Sequence, residues 1–313
     1  MDPTLRTRLE TVEVDEPVEA GGLQVFALRW HPGEPLTYRT LDDGLAAGLL
    51  EVTEVTGAGS VPTLKVTNKG DAPAFLMAGE QLSGGKQNRV LNASILVAPH
   101  SELPIPVSCV ERGRWAYRSA SFGSAGSSSH SRLRKMMHGH ATMSYRASGK
   151  PDSRQGEVWQ EVDRKMAETG SHSDTMVLQK VYEDTEVALT DVTNHLSAPE
   201  GASGVAFAYG GRIVGFDLFD QPSTLAKLWP KLVRAYAVDA RAEAGAGTVT
   251  TAAVRDWLRT APQSKEETFK SPGLGDDVRL EGATLVGAGL LVEGRPVHVE
   301  VFANGDVAES STP

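Results

Sequence analysis

The sequence holds a single cysteine, Cys109, among 313 residues. A lone thiol excludes an intrachain disulfide, and with it the disulfide-stapled secreted folds; it fits a reducing compartment. Long apolar runs are missing too. None approaches the roughly 18 residues of a membrane-spanning helix, and the opening MDPTLRTRLETVEV has no apolar core of the kind that marks a signal peptide. The expectation is a soluble, cytoplasmic protein with no membrane partner. Positive charge is in deficit, with 31 Lys and Arg against 40 Asp and Glu, a net charge of −9 and a pI near 5.4. That balance works against attraction to nucleic acid or to an anionic membrane. No internal repeat is present.

What is present is unevenly distributed. Between Arg112 and Arg154 nine basic residues face one acidic residue, Asp152, so this stretch carries +8 and the remainder −17. Before it, Leu23 to Trp30, Glu51 to Thr56, Pro62 to Thr67, Phe75 to Ala78, Arg89 to Val97 and Ile105 to Glu111 alternate or run apolar between Gly, Pro and Asn punctuation, and read as strands. Thr40 to Leu50 opens on Asp42 and Asp43 and fits a short helix. Residues 119–152 are rich in Ser, Gly, Arg and His with few β-branched members, a composition that reads as a loop or linker. From Glu157, Val158, Val162 and Met166 recur four apart, and Gly170 can end a helix. A second helical run from Asp174 to Leu196 breaks near Asp184. Two strands then flank Gly210-Gly211, a helix with a kink or break at Pro230 follows, and another short helix spans Thr251 to Leu258. The chain closes on a hairpin, Leu285 to Val292 and Pro296 to Phe302. The fold class is α+β: a β-rich half over 1–118, sandwich or partial barrel, the linker 119–152, and a mixed half over 153–313.

Chemistry concentrates between Gly79 and Trp115, GEQLSGGKQNRVLNASILVAPHSELPIPVSCVERGRW. Gly84 and Gly85 let backbone amides approach a ligand, Lys86 and Arg89 supply charge, and Gln87 and Asn88 supply directional hydrogen bonds. The set suits a phosphate, yet lacks the spacing of a P-loop or a Rossmann fingerprint, and it equally fits a solvated turn in a meander. Glu80, with Gln81 beside it, and Glu111 each end an apolar run. Together they offer an acid/base pair or a seat for a divalent cation, and separately they are strand-end carboxylates paired with Arg112 or Arg114. No other cofactor is implied. Cys109 shares a strand face with Val107 and Glu111, which allows a nucleophile activated by a neighbouring cation or a buried small hydrophobe. His130, His138 and His140 match no standard zinc spacing, so no metal site is assigned to them; with the neighbouring Arg residues they suggest a mobile flap or an RNA-contacting arm. His195 and His298 read as structural.

GEQLSGGKQNRVLN and IPVSCVERGRW, with the later FDLFDQPSTLAKLWPKLVRAYAVDA and PVHVEVF, resemble the ADP-ribosylglycohydrolase-and-rhodanese-phosphatase-associated protein domain family. The resemblance spans most of the chain. The family is named for its genomic companions, so it implies a role near ADP-ribose or NAD-derived metabolites by association. Its motif residues fall here on Gly79, Glu80, Gly85, Lys86, Gln87, Asn88, Arg89, Cys109, Glu111 and Trp115.

Two readings follow. In the first the protein is an enzyme, a hydrolase or transferase, or a binding protein for ADP-ribose-like or other phosphorylated nucleotides. Glu80 or Glu111 then serves as general acid/base and Cys109 as conditional nucleophile. Lys86, Arg89 and Arg114 clamp the anion, Gln81, Gly84, Gly85, Gln87 and Asn88 supply amides, and Trp115 offers a plane for the base. In the second it is a noncatalytic interaction module whose basic, flexible arm docks an acidic partner. Nucleic acid is disfavoured, since only Tyr117, Phe122 and Tyr145 accompany the basic residues.

Overall fold

A computed structural model describes the chain except for residues 31–33, 35, 58, 244–246 and 306–313. In chain order the elements are α1 (Pro3–Thr11), β1 (Glu13–Val14), β2 (Val18–Ala20), β3 (Leu23–Arg29), β4 (Arg39–Thr40), α2 (Leu41–Ala46), β5 (Leu50–Glu54), β6 (Thr63–Asn68), β7 (Ala74–Leu76), β8 (Glu80–Gly84), β9 (Arg89–Leu91), β10 (Ile95–Val97), β11 (Ser101–Cys109) and β12 (Ser121–Ser128). They continue as α3 (Ser131–Ser148), α4 (Gln155–Thr169), α5 (Gln179–Asp184), α6 (Glu186–His195), β13 (Gly204–Tyr209), β14 (Arg212–Phe219), α7 (Pro222–Ala242), α8 (Thr251–Leu258), β15 (Lys265–Lys270), β16 (Asp276–Glu281), β17 (Leu285–Val292) and β18 (Arg295–Ala303). The class is α+β, with the strands concentrated early as expected. Among the described residues no helix is long and apolar enough to cross a membrane.

The chain divides into two units, and the cuts fall elsewhere than at the expected 118/119 and 152/153. One unit comprises 37–187 with 270–275, the other 1–36, 188–269 and 276–313. In the first unit, β11, β6, β5, β12, β8 and β9 close into a barrel, which leaves no open sheet edge. Strict alternation builds it: Leu50 and Val52, Leu64 and Val66, Leu82, Leu91, Ile105, Val107 and Phe122 point inward and form one core cluster. A small sheet, β10-β7-β4, lies beside it in the same unit. The expected single strand from Arg89 to Val97 is two strands, broken at Asn92-Ala93-Ser94.

Residues 119–152 are not a linker. They form the barrel strand β12 and the 18-residue helix α3. Leu133, Met137, Ala141 and Tyr145 recur four apart and are all buried, so the segment needs no β-branched residue to pack: an apolar stripe on a helix suffices. The flexible basic arm of the interaction-module reading is therefore absent. α4 ends at Gly170, in the left-handed conformation that glycine adopts without steric cost.

The second unit is built on a nine-stranded sheet, β1-β3-β13-β14-β18-β17-β16-β15 with β2 on β3, antiparallel from β1 through β16. The early strand β3 thus pairs with β13 and not with the barrel strands that follow it in sequence. One face carries Phe26, Leu28, Phe216, Leu218, Val299 and Val301 in a core shared with α1 and α8. The other is covered by α7, where Phe207 stacks on Tyr236 at 3.8 Å between ring centroids. α7 runs unbroken through Pro230.

Candidate functional site

Gly84 and Gly85 sit at φ 133° and 47°, and the reversal they make turns β8 into β9. β9 pairs in turn with β11, which sets Arg89 directly opposite Cys109. A side chain on Gly85 would not fit, because its Cβ would fall 2.2 Å from the ring of the buried Phe122. The K-Q-N-R run is thereby brought beside the thiol's strand at one mouth of the barrel. Inward-facing positions that are apolar deeper in the barrel become Glu54, Arg89 and Cys109 here, all buried.

The Cys109 thiol donates to Gln87 Oε1 at 3.0 Å, and Gln87 Nε2 donates to the Arg112 carbonyl at 3.3 Å. Burial pushes the thiol up to about 11; the Arg89 cation opposes this, while Glu54 and Glu111 add to it. At neutral pH Cys109 is a protonated donor, so the thiolate that a nucleophile requires is not populated. Its backbone is pinned from outside the barrel, as Gln155 accepts from its N–H and donates to its carbonyl, both at 2.8 Å.

Arg114 is a clasp. Nε and Nη2 hold both oxygens of Glu111 at 2.9 and 2.6 Å, Nη1 donates to the carbonyls of Gly85 and Ala116, and Nη2 also reaches the Gly84 carbonyl and Asn88 Oδ1. Its donors are spent inside the protein, which removes it from the expected anion clamps. Burial alone would raise Glu111, but the hydrogen bonds from Arg114, the Asn88 N–H and Thr175 outweigh it and hold the carboxyl below its ordinary range. Glu111 stays ionised and is no general acid near neutrality.

Glu80 belongs to the other end of β8. Four residues at about 3.3 Å each put it about 13 Å from Gly84, which touches Arg114 and Asn88. Its carboxylate accepts from the Met77 N–H at 2.8 Å. Glu80 and Glu111 therefore make neither an acid/base pair nor a shared cation seat. Gln81 faces away from the barrel core, next to the inward Leu82, and both polar atoms of its buried amide lack a hydrogen-bond partner. It stands apart from the other expected contacts.

At the exposed rim the picture differs. The Lys86 ammonium lies 5.3 Å from the Trp115 ring centroid and 5.1 Å from that of Tyr117, and both rings are half exposed. Glu54 Oε1 accepts from the Lys86 N–H at 3.2 Å, while its Oε2 is buried without a hydrogen-bond partner. Gly59 shows how close these groups are. A Cβ placed there would lie 3.1 Å from Lys86 Cδ, 3.4 Å from Trp115 Cζ2 and 3.5 Å from Glu54 Oε2, so all three side chains close on the Gly59 backbone. Arg89 beneath is likewise underused: Nη1 donates to the Gln87 carbonyl at 2.7 Å, and Nε and Nη2 make no hydrogen bond, with Nη2 3.8 Å from Glu54 Oε1.

Sequence reasoning missed Glu54, Tyr117 as part of this rim, and Gln155. Glu54 had a signal, since it continues the inward parity of Leu50 and Val52 and so places a carboxylate inside a strand-rich core. The histidines of the basic segment are buried in α3 and at its start, His130 on Glu161 at 3.0 Å and His140 on Glu157 at 2.9 Å, and among the described residues they form no common metal centre.

The sequence profile of the ARG and Rhodanese-Phosphatase-superfamily-associated Protein domain family matches residues 11–302. No curated protein and no solved structure matches the chain.

Proposed function

As the chain belongs to this family, whose name links it to ADP-ribosylglycohydrolase and rhodanese proteins, we propose that it binds ADP-ribose-like, phosphorylated nucleotides at the barrel rim. The observation that carries the reading is the Lys86 ammonium between two half-exposed aromatic rings, on a backbone held by the Glu54 carboxylate. Rings and ammonium each answer one part of such a ligand. The rings of Trp115 and Tyr117 offer planes for a base, Lys86 offers charge to a phosphate, and the buried Glu54 holds the Lys86 N–H from inside the barrel. Binding is favoured over catalysis, because Cys109 is held as a thiol, Glu111 is held ionised and Glu80 lies at the far end of its strand.

Isothermal titration with ADP-ribose tests this. Base stacking on an aromatic ring is worth about 1–3 kcal/mol, so Trp115→Ala weakens binding about tenfold or more. Lys86→Met and Glu54→Gln each weaken it as well. Absence of heat from the wild-type protein with ADP-ribose and with NAD, or affinity untouched by Trp115→Ala and Lys86→Met together, would refute the proposal.

A further inference from the structure

The α7-covered face of the nine-stranded sheet carries charge where a sheet packed under a helix is ordinarily apolar. Asp217 on β14 and Glu300 on β18 are cross-strand partners, and His298 stands two residues before Glu300 on the same face. Their exposures are 0 %, 1 % and 1 %. Like charges directly opposite one another destabilise a sheet, and burial raises that cost. His298 brackets the pair, with Nε2 3.2 Å from Asp217 Oδ1 and Nδ1 4.0 Å from Glu300 Oε1. The same cross-strand row continues through Ala288 to the buried Arg279 of β16.

The three residues are also held in place by their surroundings. The Tyr236 hydroxyl donates to Asp217 Oδ2 at 3.2 Å, which leaves Oδ1 turned towards His298. Phe219 stacks on the imidazole at 4.6 Å and 12°, fixing the ring plane. One ligand atom from each of Asp217, His298 and Glu300 lies within 4.8 Å of the other two.

We propose that Asp217, His298 and Glu300 form a binding site for a divalent transition-metal ion such as Zn²⁺, Mn²⁺ or Co²⁺. Two carboxylates and an imidazole are the donor set such borderline ions accept, and three protein ligands are what a site with an open position carries. A 2+ ion between the carboxylates cancels their charge while the imidazole binds neutral, releasing its proton to solvent if it was charged. Tyr236 orients Asp217 in the manner of an outer-shell partner. This site is independent of the barrel rim, and its test does not depend on nucleotide binding.

Chelator-treated full-length protein is titrated with Co²⁺ and followed by visible absorption, and with Zn²⁺ and Mn²⁺ followed by melting temperature. The expected result is one equivalent of Co²⁺ bound with a ligand-field band, and a rise in melting temperature. Asp217→Asn and Glu300→Gln abolish both. Tyr236→Phe weakens binding by about tenfold or more, while the exposed control Glu102→Gln changes nothing. Failure of the wild-type protein to bind any of the three ions, or stoichiometric binding that survives both ligand substitutions, overturns the proposal. Should those variants not fold, the ¹⁵N resonances of His298 in the wild type decide: Zn²⁺ must move one ring nitrogen, and a ring unaffected by added Zn²⁺ rejects the site.

Discussion

Arg114→Met removes the cation that holds Glu111. The pair is well shielded, with side-chain exposures of 16 % for Arg114 and 5 % for Glu111. Taking away one partner of a buried ion pair leaves an uncompensated charge and costs about 3–5 kcal/mol. The carbonyls of Gly84, Gly85 and Ala116 lose a donor in the same step, which places the expected loss at pH 7 in the upper part of that range. The pH dependence separates the charge effect from simple loss of packing. Glu111 has a depressed value in the folded protein, so the stability it contributes is complete above the unfolded value near about 4.3 and is lost as the pH falls through the folded one. Without Arg114 the carboxyl keeps only the Asn88 N–H and Thr175 against burial and binds its proton more readily than in the native protein. The variant is therefore most handicapped at pH 7 and recovers part of the loss on acidification. Below both values the difference shrinks to about 1–2 kcal/mol of neutral hydrogen bonds. Urea unfolding at pH 7 and at pH 3.5, followed by tryptophan fluorescence, measures both quantities. A loss under 1 kcal/mol at pH 7, or an equal loss at the two pH values, would show that Glu111 does not depend on the clasp.

Two further outcomes follow from the same mouth of the barrel. Gly85→Ala forces a Cβ into the left-handed region and against the Phe122 ring, for an expected loss of about 2–5 kcal/mol in urea unfolding; a change below 1 kcal/mol would mean that the ring moves aside freely. Cys109, raised from 9.0 to about 11, is alkylated by iodoacetamide at pH 8 at least about 100-fold more slowly in the folded protein than in urea; comparable rates would mean that the thiol is exposed or ionised.

Local pattern carried far in this chain where an element's signal lies within itself. β3, α4, α8 and the β17–β18 hairpin fall close to where alternation, four-residue spacing and turn glycines put them. It failed where the signal was non-local or of an unexpected type. β8 was hidden because GEQLSGG reads as turn punctuation, although Gly84 and Gly85 belong to the strand end and the reversal after it. The partnership of β3 with β13 joins positions about 180 residues apart, which no window of periodicity contains. For α3, composition outweighed period: Ser, Gly and Arg suggested disorder, while Leu133, Met137, Ala141 and Tyr145 already traced one helical face. At the site, the approach of Lys86–Arg89 to Cys109 was legible from the glycine pair. That Arg114 spends its donors on backbone carbonyls was not, since nothing in a residue's type tells whether its charge faces inward or out.

The barrel's closure explains how the two kinds of polar residue at this mouth depend on one another. A six-stranded barrel has an interior filled by side chains, so charge on inward positions is tolerable only near an end, where Glu54 and Arg89 lie. Ligand access is then restricted to the rim. The buried groups below it set the rim's geometry: Arg114 holds the Gly84 and Gly85 carbonyls, the Arg118 N–H also bonds Gly85, and Glu54 holds the Lys86 N–H. Each bond fixes the turn that presents Lys86 between Trp115 and Tyr117. Substitution of Arg114 should accordingly weaken nucleotide binding even though its guanidinium has no donor to offer a ligand. That separates it from Lys86, whose removal weakens binding without the accompanying loss of stability.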